Sequence, residues 1–360
     1  MPRIQAARNG VQRIPSGCIG GCRTSELNSR ALTSIVESVR LNIYLYHLEW
    51  KMTTEKQPTE AQFEVIKAVA NFSAKPMRTP VLRNPDEYGM DYEDLFFPSL
   101  DGVPLEAWYI PAAKKSDLLI IANHPLPMNR YGLAGHLDPW TFMDPTEINF
   151  LYEIKHLHDA GYNILTYDLR NLGRSGTGNN GACGVGRYEW RDCIGAKQYV
   201  DNHPELSKMK VGLLSRCTGG NAQYEAISRH PELFENVSCM VSPLVVSMEA
   251  FTKNYANSVL DGAGDFPEIL DFEQIKAGGL KNAEMTPHLF AKDIKMPTLV
   301  VQVRGDKWTE DSDGQKTYEL LGSEEKDLFW IEGTTRRWVG YNYFGQNPEK
   351  LLGWFDKYMK

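Results

Sequence analysis

The sequence predicts an α/β protein with a mostly parallel sheet of eight strands, helices on both faces and an inserted cap. Short apolar runs alternate with helical segments from about residue 118 to residue 245, and the alternation resumes at Thr298. Such alternation requires crossover connections, which cover both faces of a parallel sheet. Because ligands of these sheets bind at the carboxyl ends of the strands, we expect the functional residues there.

The elements follow one another in a simple order. A helix over 60–72 precedes two antiparallel strands, which the turn dipeptide Asp101-Gly102 joins. In the last helix, Asn347 is predicted as the N-cap and Pro348 as the first residue. Scattered aromatic residues at about 246–297 predict a cap over the strand ends. Six further strands are predicted at 118–123, 163–168, 211–214, 237–245, 298–306 and 327–331, with helices at 148–160, 187–202, 310–321 and directly after Cys217.

Composition favours a soluble globular protein. The chain has 360 residues, 42% of them hydrophobic, and a net charge of −7, which argues against nucleic acid and anionic membranes as partners. No apolar stretch approaches the roughly 18 residues of a membrane helix, and no secretory signal begins the chain, so a cytoplasmic protein is expected. Residues 1–51 are rich in arginine and predict a flexible extension or a mitochondrial targeting segment before a domain at 52–360.

No metal or other cofactor is expected. Cys18 and Cys22 lack a second Cys/His pair at the spacing of a zinc site, so they are predicted to be two free thiols. Residues 176–181 match the G-x-G-x-x-G pattern of dinucleotide sites. No acidic residue ends the next strand to bind a ribose, and the segment is therefore predicted to be an ordinary loop.

The stretch KVGLLSRCTGGNAQ, residues 210–223, predicts a strand, a sharp turn and a helix. Cys217 stands at the apex, where a nucleophile elbow of the G-x-S-x-G type carries its serine; the leading glycine is replaced by Ser215. Helix N-termini and adjacent cations favour a thiolate, and Arg216 is such a cation. The sequence therefore predicts a cysteine nucleophile, with a buried small apolar residue as the alternative.

From about residue 91 to residue 359, this order of elements resembles the α/β-hydrolase superfamily. The resemblance implies that Cys217 is the nucleophile, that Asp306 is the triad acid, and that the backbone N–H groups of Leu126 and Thr218 bind an oxyanion. An elbow cysteine is similar to that of dienelactone hydrolase-like enzymes. The hairpin start with an inserted cap is similar to fungal polyketide thiohydrolases and acyltransferases.

The resemblance also implies a histidine after the last strand, within 332–342. That segment reads EGTTRRWVGYN and contains none. Arg336 and Arg337 lie there and, like Arg216, are predicted to contact substrate, because guanidinium groups bind carboxylates in a bidentate manner. His136 is also predicted to contact substrate.

The general base must then come from another part of the chain. Arginine cannot accept a proton at neutral pH. His124, directly after the strand 118–123, and His136 are the candidates, with a structural role as the alternative for each.

These residues predict an acyl-transfer enzyme, that is, a hydrolase, thioesterase or acyltransferase acting on an ester, lactone or thioester. The resemblance implies a large apolar metabolite such as a polyketide as the substrate, free or linked to a carrier or coenzyme A, in secondary metabolite biosynthesis. Without the histidine, activation of water is the least supported step. Two alternatives stay open: a non-hydrolytic lyase, isomerase or cyclase that uses the same pocket, and a catalytically inactive binding protein with this fold.

Overall fold

A computed structural model describes residues 58–259 and 266–360. The extension predicted at 1–51, its targeting role and the thiols Cys18 and Cys22 lie outside these residues. The predicted domain boundary at residue 52 also lies outside them and stays a prediction. Among the helices in these two ranges, none is long and apolar enough to cross a membrane.

The predicted eight-stranded, mostly parallel sheet is confirmed, with the order β1-β2-β6-β3-β7-β8-β9-β10. The β1/β2 and β2/β6 pairs are antiparallel, and the other neighbouring pairs are parallel. Strands β3 and β7–β10 therefore end at the same edge of the sheet. In chain order the strands are β1 (Glu93–Pro98), β2 (Pro104–Ile110), β3 (Leu118–Asn123), β4 (Gly132–Ala134), β5 (Glu147–Asn149), β6 (Asn163–Tyr167), β7 (Lys210–Ser215), β8 (Val237–Pro243), β9 (Thr298–Val303) and β10 (Lys326–Ile331).

Helices cover both faces of this sheet. The residues on β3 alternate between two hydrophobic clusters: Ile120 packs with residues of one cluster and Leu119 with residues of the other. In chain order the helices are α1 (Glu60–Ala74), α2 (Leu151–Asp159), α3 (Trp190–Asn202), α4 (Cys217–Arg229), α5 (Met248–Val259), α6 (Pro267–Lys276), α7 (Asp311–Leu320), α8 (Arg337–Gly340), α9 (Tyr343–Gln346) and α10 (Glu349–Met359). Helices α2 and α10 supply residues to the first cluster, and α3 and α4 supply residues to the second.

Two local predictions are wrong. The segment predicted as helix from residue 148 begins as β5, which pairs with β4, and α2 starts only at Leu151, whose N–H donates to Asn149 Oδ1 at 3.0 Å. At the last helix Pro348 occupies the N-cap position and Glu349 begins α10. Asn347 does not cap it, because its side-chain amide donates to the Tyr343 carbonyl oxygen of α9.

The region predicted as a cap contains α5 and α6, and the first described helix joins it. A capping box between Thr59 and Gln62 starts α1. Helix α1 then packs against α6 and α5. Helix α1, from a distant part of the chain, therefore contacts the helices of the segment predicted as a cap, and the cap itself stays a prediction.

Candidate active site

Cys217 lies at the turn between β7 and α4. Strand β7 ends at Ser215, Arg216 is still extended, and Cys217 is the first residue of α4. Its φ of 47° is left-handed, a conformation that costs a non-glycine residue about 1–3 kcal/mol. The side chain is buried. The turn thus holds the sulfur at the N-terminus of a 13-residue helix, whose free N–H groups favour an anion.

Asn123, the last residue of β3, ties this turn to the sheet. Its Nδ2 donates to the Gly219 carbonyl oxygen at 3.1 Å, and its Oδ1 accepts from the Arg216 N–H at 3.2 Å. A Cβ atom on Gly219 would lie 2.1 Å from Asn123 Oδ1, so only glycine fits. Sequence reasoning missed Asn123; a polar residue that ends an apolar strand beside the elbow was the available signal.

Asp306 and Arg337 form a buried ion pair near Cys217. Asp306 follows β9, and Arg337 begins α8 after β10. Arg337 Nη1 donates to Asp306 Oδ2 at 2.9 Å, and each side chain is 1% exposed. Arg337 also donates to the carbonyl oxygen of Leu244. The arginine therefore lies beside the acid where the resemblance implied a histidine.

Tyr341 completes this cluster and was not predicted. Arg337 Nε donates to the Tyr341 hydroxyl oxygen at 3.1 Å, which leaves the phenolic hydrogen free to point elsewhere. Burial raises the pKa of Tyr341 well above its ordinary value; Arg337 opposes the rise, and the Cys217 sulfur adds to it. The available signal was the i, i+4 spacing of Arg337 and Tyr341.

The two predicted oxyanion donors face the same space. Leu126 and Thr218 both line the pocket that contains Cys217. Thr218 lies in the first turn of α4, where backbone N–H groups have no acceptor within the helix. Across residues 58–259 and 266–360, no backbone carbonyl accepts from the Leu126 N–H either. Both N–H groups are therefore available to a ligand.

The pocket around Cys217 is small and mostly apolar. Its cavity measures about 30 Å³, room for two or three water molecules. Helix α1 supplies part of the wall, although the sequence assigned it no chemistry. The lining residues are Phe72, Ser73, Leu126, Met143, Cys217, Thr218, Val246, Met248, Phe251, Arg337, Trp338 and Tyr341.

Comparison with known proteins identifies the fold through solved structures alone. No family model matches the chain, and no curated protein sequence matches it. The esterase Pf2001 of Pyrococcus furiosus is similar over 80% of this chain and 99% of its own, with a TM-score of 0.61 and 17% identity. The Penicillium α/β hydrolase GrgF matches over 75% and 99% of the two chains, with a TM-score of 0.50 and 16% identity.

The protein has the α/β-hydrolase fold. A further structure, DcsB in complex with its substrate analogue, matches over 75% of this chain and 98% of its own, with a TM-score of 0.53 and 14% identity. At these identities the likeness concerns the fold.

Within this α/β-hydrolase fold, His124 is placed as a structural residue, not as the missing base. Its Nδ1 lies 2.8 Å from the Pro125 carbonyl oxygen, and its Nε2 accepts from the Leu169 N–H at 2.9 Å. Burial lowers the pKa of His124 to about 4, although the Asp168 carboxylate opposes the shift. Because both ring nitrogens have backbone partners, neither is available to take a proton from Cys217.

Arg216 also points away from the pocket. Its Nη2 lies 2.5 Å from Glu153 Oε1, and its Nη1 donates to the Asn123 carbonyl oxygen at 2.8 Å. The guanidinium stacks on the Phe150 ring, 4.4 Å from its centroid. The prediction of Arg216 as a substrate contact is not supported, because this cation is committed to the packing of α2 against the sheet.

The other two predicted contacts, Arg336 and His136, lie outside the pocket lining. Arg336 is half-exposed and binds Asp144 through Nε at 3.1 Å and Nη2 at 2.6 Å. His136 Nδ1 is 3.8 Å from Glu147 Oε2. Of the four predicted substrate contacts, the α/β-hydrolase fold therefore brings only Arg337 to Cys217.

The arrangement offers a thiol, two free backbone donors, one buried cation and one phenol. In the described ranges, no group of three or more His, Cys, Asp or Glu side chains is placed to hold a metal ion. The chemistry that these groups can perform is nucleophilic attack by sulfur, stabilisation of an oxyanion and transfer of the phenolic proton.

Proposed function

We propose that this protein is an acyl-transfer enzyme that attacks an ester, lactone or thioester through Cys217. The observation that carries the proposal is the position of Cys217. It lies in a left-handed turn at a helix N-terminus, in a pocket that the buried Arg337, Leu126 and Thr218 also line. The structural neighbours include an esterase and a hydrolase, which agrees with ester bonds as the target.

Arg337 takes over one part of the role of a histidine. Burial lowers the pKa of Arg337, but Tyr341, Cys217 and Asp306 together outweigh it, so the guanidinium stays charged. With the N-terminus of α4, this cation favours the thiolate form of a neighbouring cysteine. In this proposal the attacking group is the thiolate, and its proton is given up to solvent.

Acyl transfer then proceeds in two steps. The thiolate attacks the carbonyl carbon, a C–S bond forms, and the oxyanion accepts hydrogen bonds from the Leu126 and Thr218 N–H groups. When the bond to the leaving group breaks, that group takes the phenolic proton of Tyr341. The resulting phenolate, next to Arg337 Nε, takes a proton from water, or from a hydroxyl of the substrate, which attacks the acyl-sulfur carbonyl and frees Cys217.

The environment of Tyr341 allows it to donate a proton in the first step and to accept one in the second. Burial keeps its pKa above the ordinary value, so the phenol is protonated at rest and can act as an acid. Once it has given up that proton, the phenolate is a strong base. Tyr341, four positions after Arg337, thus takes the acid and base role that the resemblance assigned to a histidine.

The substrate we propose is a large apolar metabolite such as a polyketide, with its acyl group free or linked to a carrier or coenzyme A. The walls around Cys217 support an apolar acyl group, because methionine and aromatic side chains such as Met248, Phe251 and Trp338 form most of them. A secondary metabolic role remains part of the proposal.

The test is intact mass after incubation with p-nitrophenyl esters and N-acetylcysteamine thioesters of graded acyl length. The wild-type protein should gain one acyl group, and Cys217→Ala should gain none. Cys239→Ala, which removes another buried thiol, is the matched control and should behave as wild type.

A second variant tests the acid and base. Tyr341→Phe should still form the adduct with a p-nitrophenyl ester, whose leaving group needs no acid, but should release it at least tenfold more slowly. Product formed equally by wild type and Cys217→Ala, without any adduct, would overturn the cysteine mechanism. Neither adduct nor product across the series would instead favour a lyase, isomerase or cyclase, or a binding protein.

A further inference from the structure

An apolar groove lies on α1, away from Cys217. Its residues on α1 follow the helical i, i+3, i+4, i+7 pattern, with Val65, Ala68, Val69 and Phe72 on one face. Met77, 44% exposed, and Tyr255 of α5 complete the apolar wall, and two lining residues are polar. The groove measures about 430 Å³. Among residues 58–259 and 266–360, these side chains form the floor and walls of a groove.

The groove adjoins the catalytic pocket, and aromatic side chains lie at the boundary. Phe72 lines both the groove and the pocket around Cys217. On the other side, the Tyr255 ring lies 6.5 Å from the Phe251 ring, and Phe251 also lines the catalytic pocket. Aromatic side chains therefore form part of the wall between the two spaces.

The sizes of the two spaces are complementary. Small-molecule sites usually measure about 300–1,000 Å³. The catalytic pocket, at about 30 Å³, holds the reacting carbonyl and little more, whereas the groove, at about 430 Å³, reaches that range. A long acyl group that places its carbonyl at Cys217 must extend beyond the pocket, and the groove is an apolar space that shares the lining residue Phe72 with it.

We propose that this groove binds the apolar acyl chain of the substrate, in a form of eight or more carbons, while the carbonyl of that substrate lies at Cys217. The proposal rests on the acyl-transfer function and adds its substrate class. A chain fits better than a charged ligand because the groove offers mainly aliphatic and aromatic carbon.

Binding is tested apart from catalysis. The full-length Cys217→Ala protein is titrated with cis-parinaric acid, an 18-carbon fatty acid that fluoresces in apolar surroundings. Saturable binding is expected. Ala68→Trp, which fills the groove, should weaken it at least tenfold, because each methylene kept in water costs about fourfold in affinity. Ala61→Trp, an exposed position on α1 outside the groove lining, is the matched control and should change affinity less than twofold.

Ester turnover, measured in proteins that retain Cys217, gives a second readout. Ala68→Trp should lower the ratio of kcat/KM for a decanoyl p-nitrophenyl ester to kcat/KM for the acetyl ester at least tenfold, and a thermal unfolding curve like that of Ala61→Trp shows that the variant is folded. Met77→Lys, which introduces a charge at an exposed position in the groove, should act in the same direction.

The outcomes separate the two proposals. Parinaric acid binding that Ala68→Trp abolishes, without turnover of any ester, would support the groove and sink the acyl-transfer function. Loss of binding to the same extent in Ala61→Trp and Ala68→Trp would overturn the groove. No saturable binding by the full-length chain would overturn it too, including the case in which another segment of this chain or a second copy fills the groove.

Discussion

Arg337→Met removes the charge that the buried Asp306 carboxylate faces. The two side chains are each 1% exposed and their charged atoms are 2.9 Å apart. Removing one partner of such a pair leaves a buried, uncompensated charge and costs about 3–5 kcal/mol in the free energy of unfolding. Asp306→Asn leaves the guanidinium in the same position and should cost a similar amount.

The double variant Arg337→Met/Asp306→Asn leaves neither charge unpaired. Its loss should therefore be smaller than the sum of the two single losses by about 2–3 kcal/mol. Guanidinium chloride unfolding of the four proteins at pH 7 measures this coupling. Additivity within about 0.5 kcal/mol would refute the buried pair, because independent sites behave that way.

The same four proteins separate stability from chemistry. Alkylation by iodoacetamide, followed on the peptide that contains Cys217, should slow about tenfold in both proteins that lack Arg337, since loss of one nearby cation costs a thiolate on the order of 1–2 kcal/mol. Asp306→Asn keeps the cation and should react at least as fast as wild type. Equal slowing in all three variants would mean that Arg337 acts only through the fold.

Two further predictions concern the elbow and its neighbour. Gly219→Ala should lower the free energy of unfolding by about 2–5 kcal/mol, because the new methyl group overpacks against Asn123 and breaks the two hydrogen bonds of that side chain. Gly353→Ala in α10, where a Cβ atom meets nothing within 4 Å, is the control and should raise it by about 0.5–1 kcal/mol. Equal thermal stability of the two variants would contradict the packing. Since the pKa of His124 is lowered from 6.5 to about 4, the unfolded chain binds more protons between these values and stability falls as the pH drops. From pH 7 to 4.5, wild type should lose about 2 kcal/mol more than His124→Gln in urea unfolding, and parallel losses would show that His124 does not stay neutral.

The order of strands and helices could be predicted because burial is reflected in the local pattern of apolar residues. Leu118–Asn123 was predicted with the bounds that β3 has, since a strand covered on both faces is apolar throughout. The start of α2 was predicted three residues too early. Its first residues are apolar as well, and an apolar run does not distinguish the edge of a small hairpin from the first turn of a helix.

Likewise, only part of the candidate site could be predicted from the sequence. Cys217 could be named because a strand, a turn and two glycines follow one another along the chain. His124 and Arg216 were expected to act on substrate because they lie next to functional positions, yet adjacency in sequence does not set the direction of a side chain. The structure directs both into the core, where backbone groups and Glu153 bind them.

By itself, the sequence determined the α/β architecture, the position of the elbow cysteine and the absence of histidine from residues 332–342. These depend on periodicity and on residue identity within short windows. Only the tertiary structure decided that Arg337 faces Asp306, that Tyr341 lies against the sulfur, and that Phe72 joins the pocket wall. These contacts join residues from distant parts of the chain, and the parallel sheet brings them together by ending its strands at one edge.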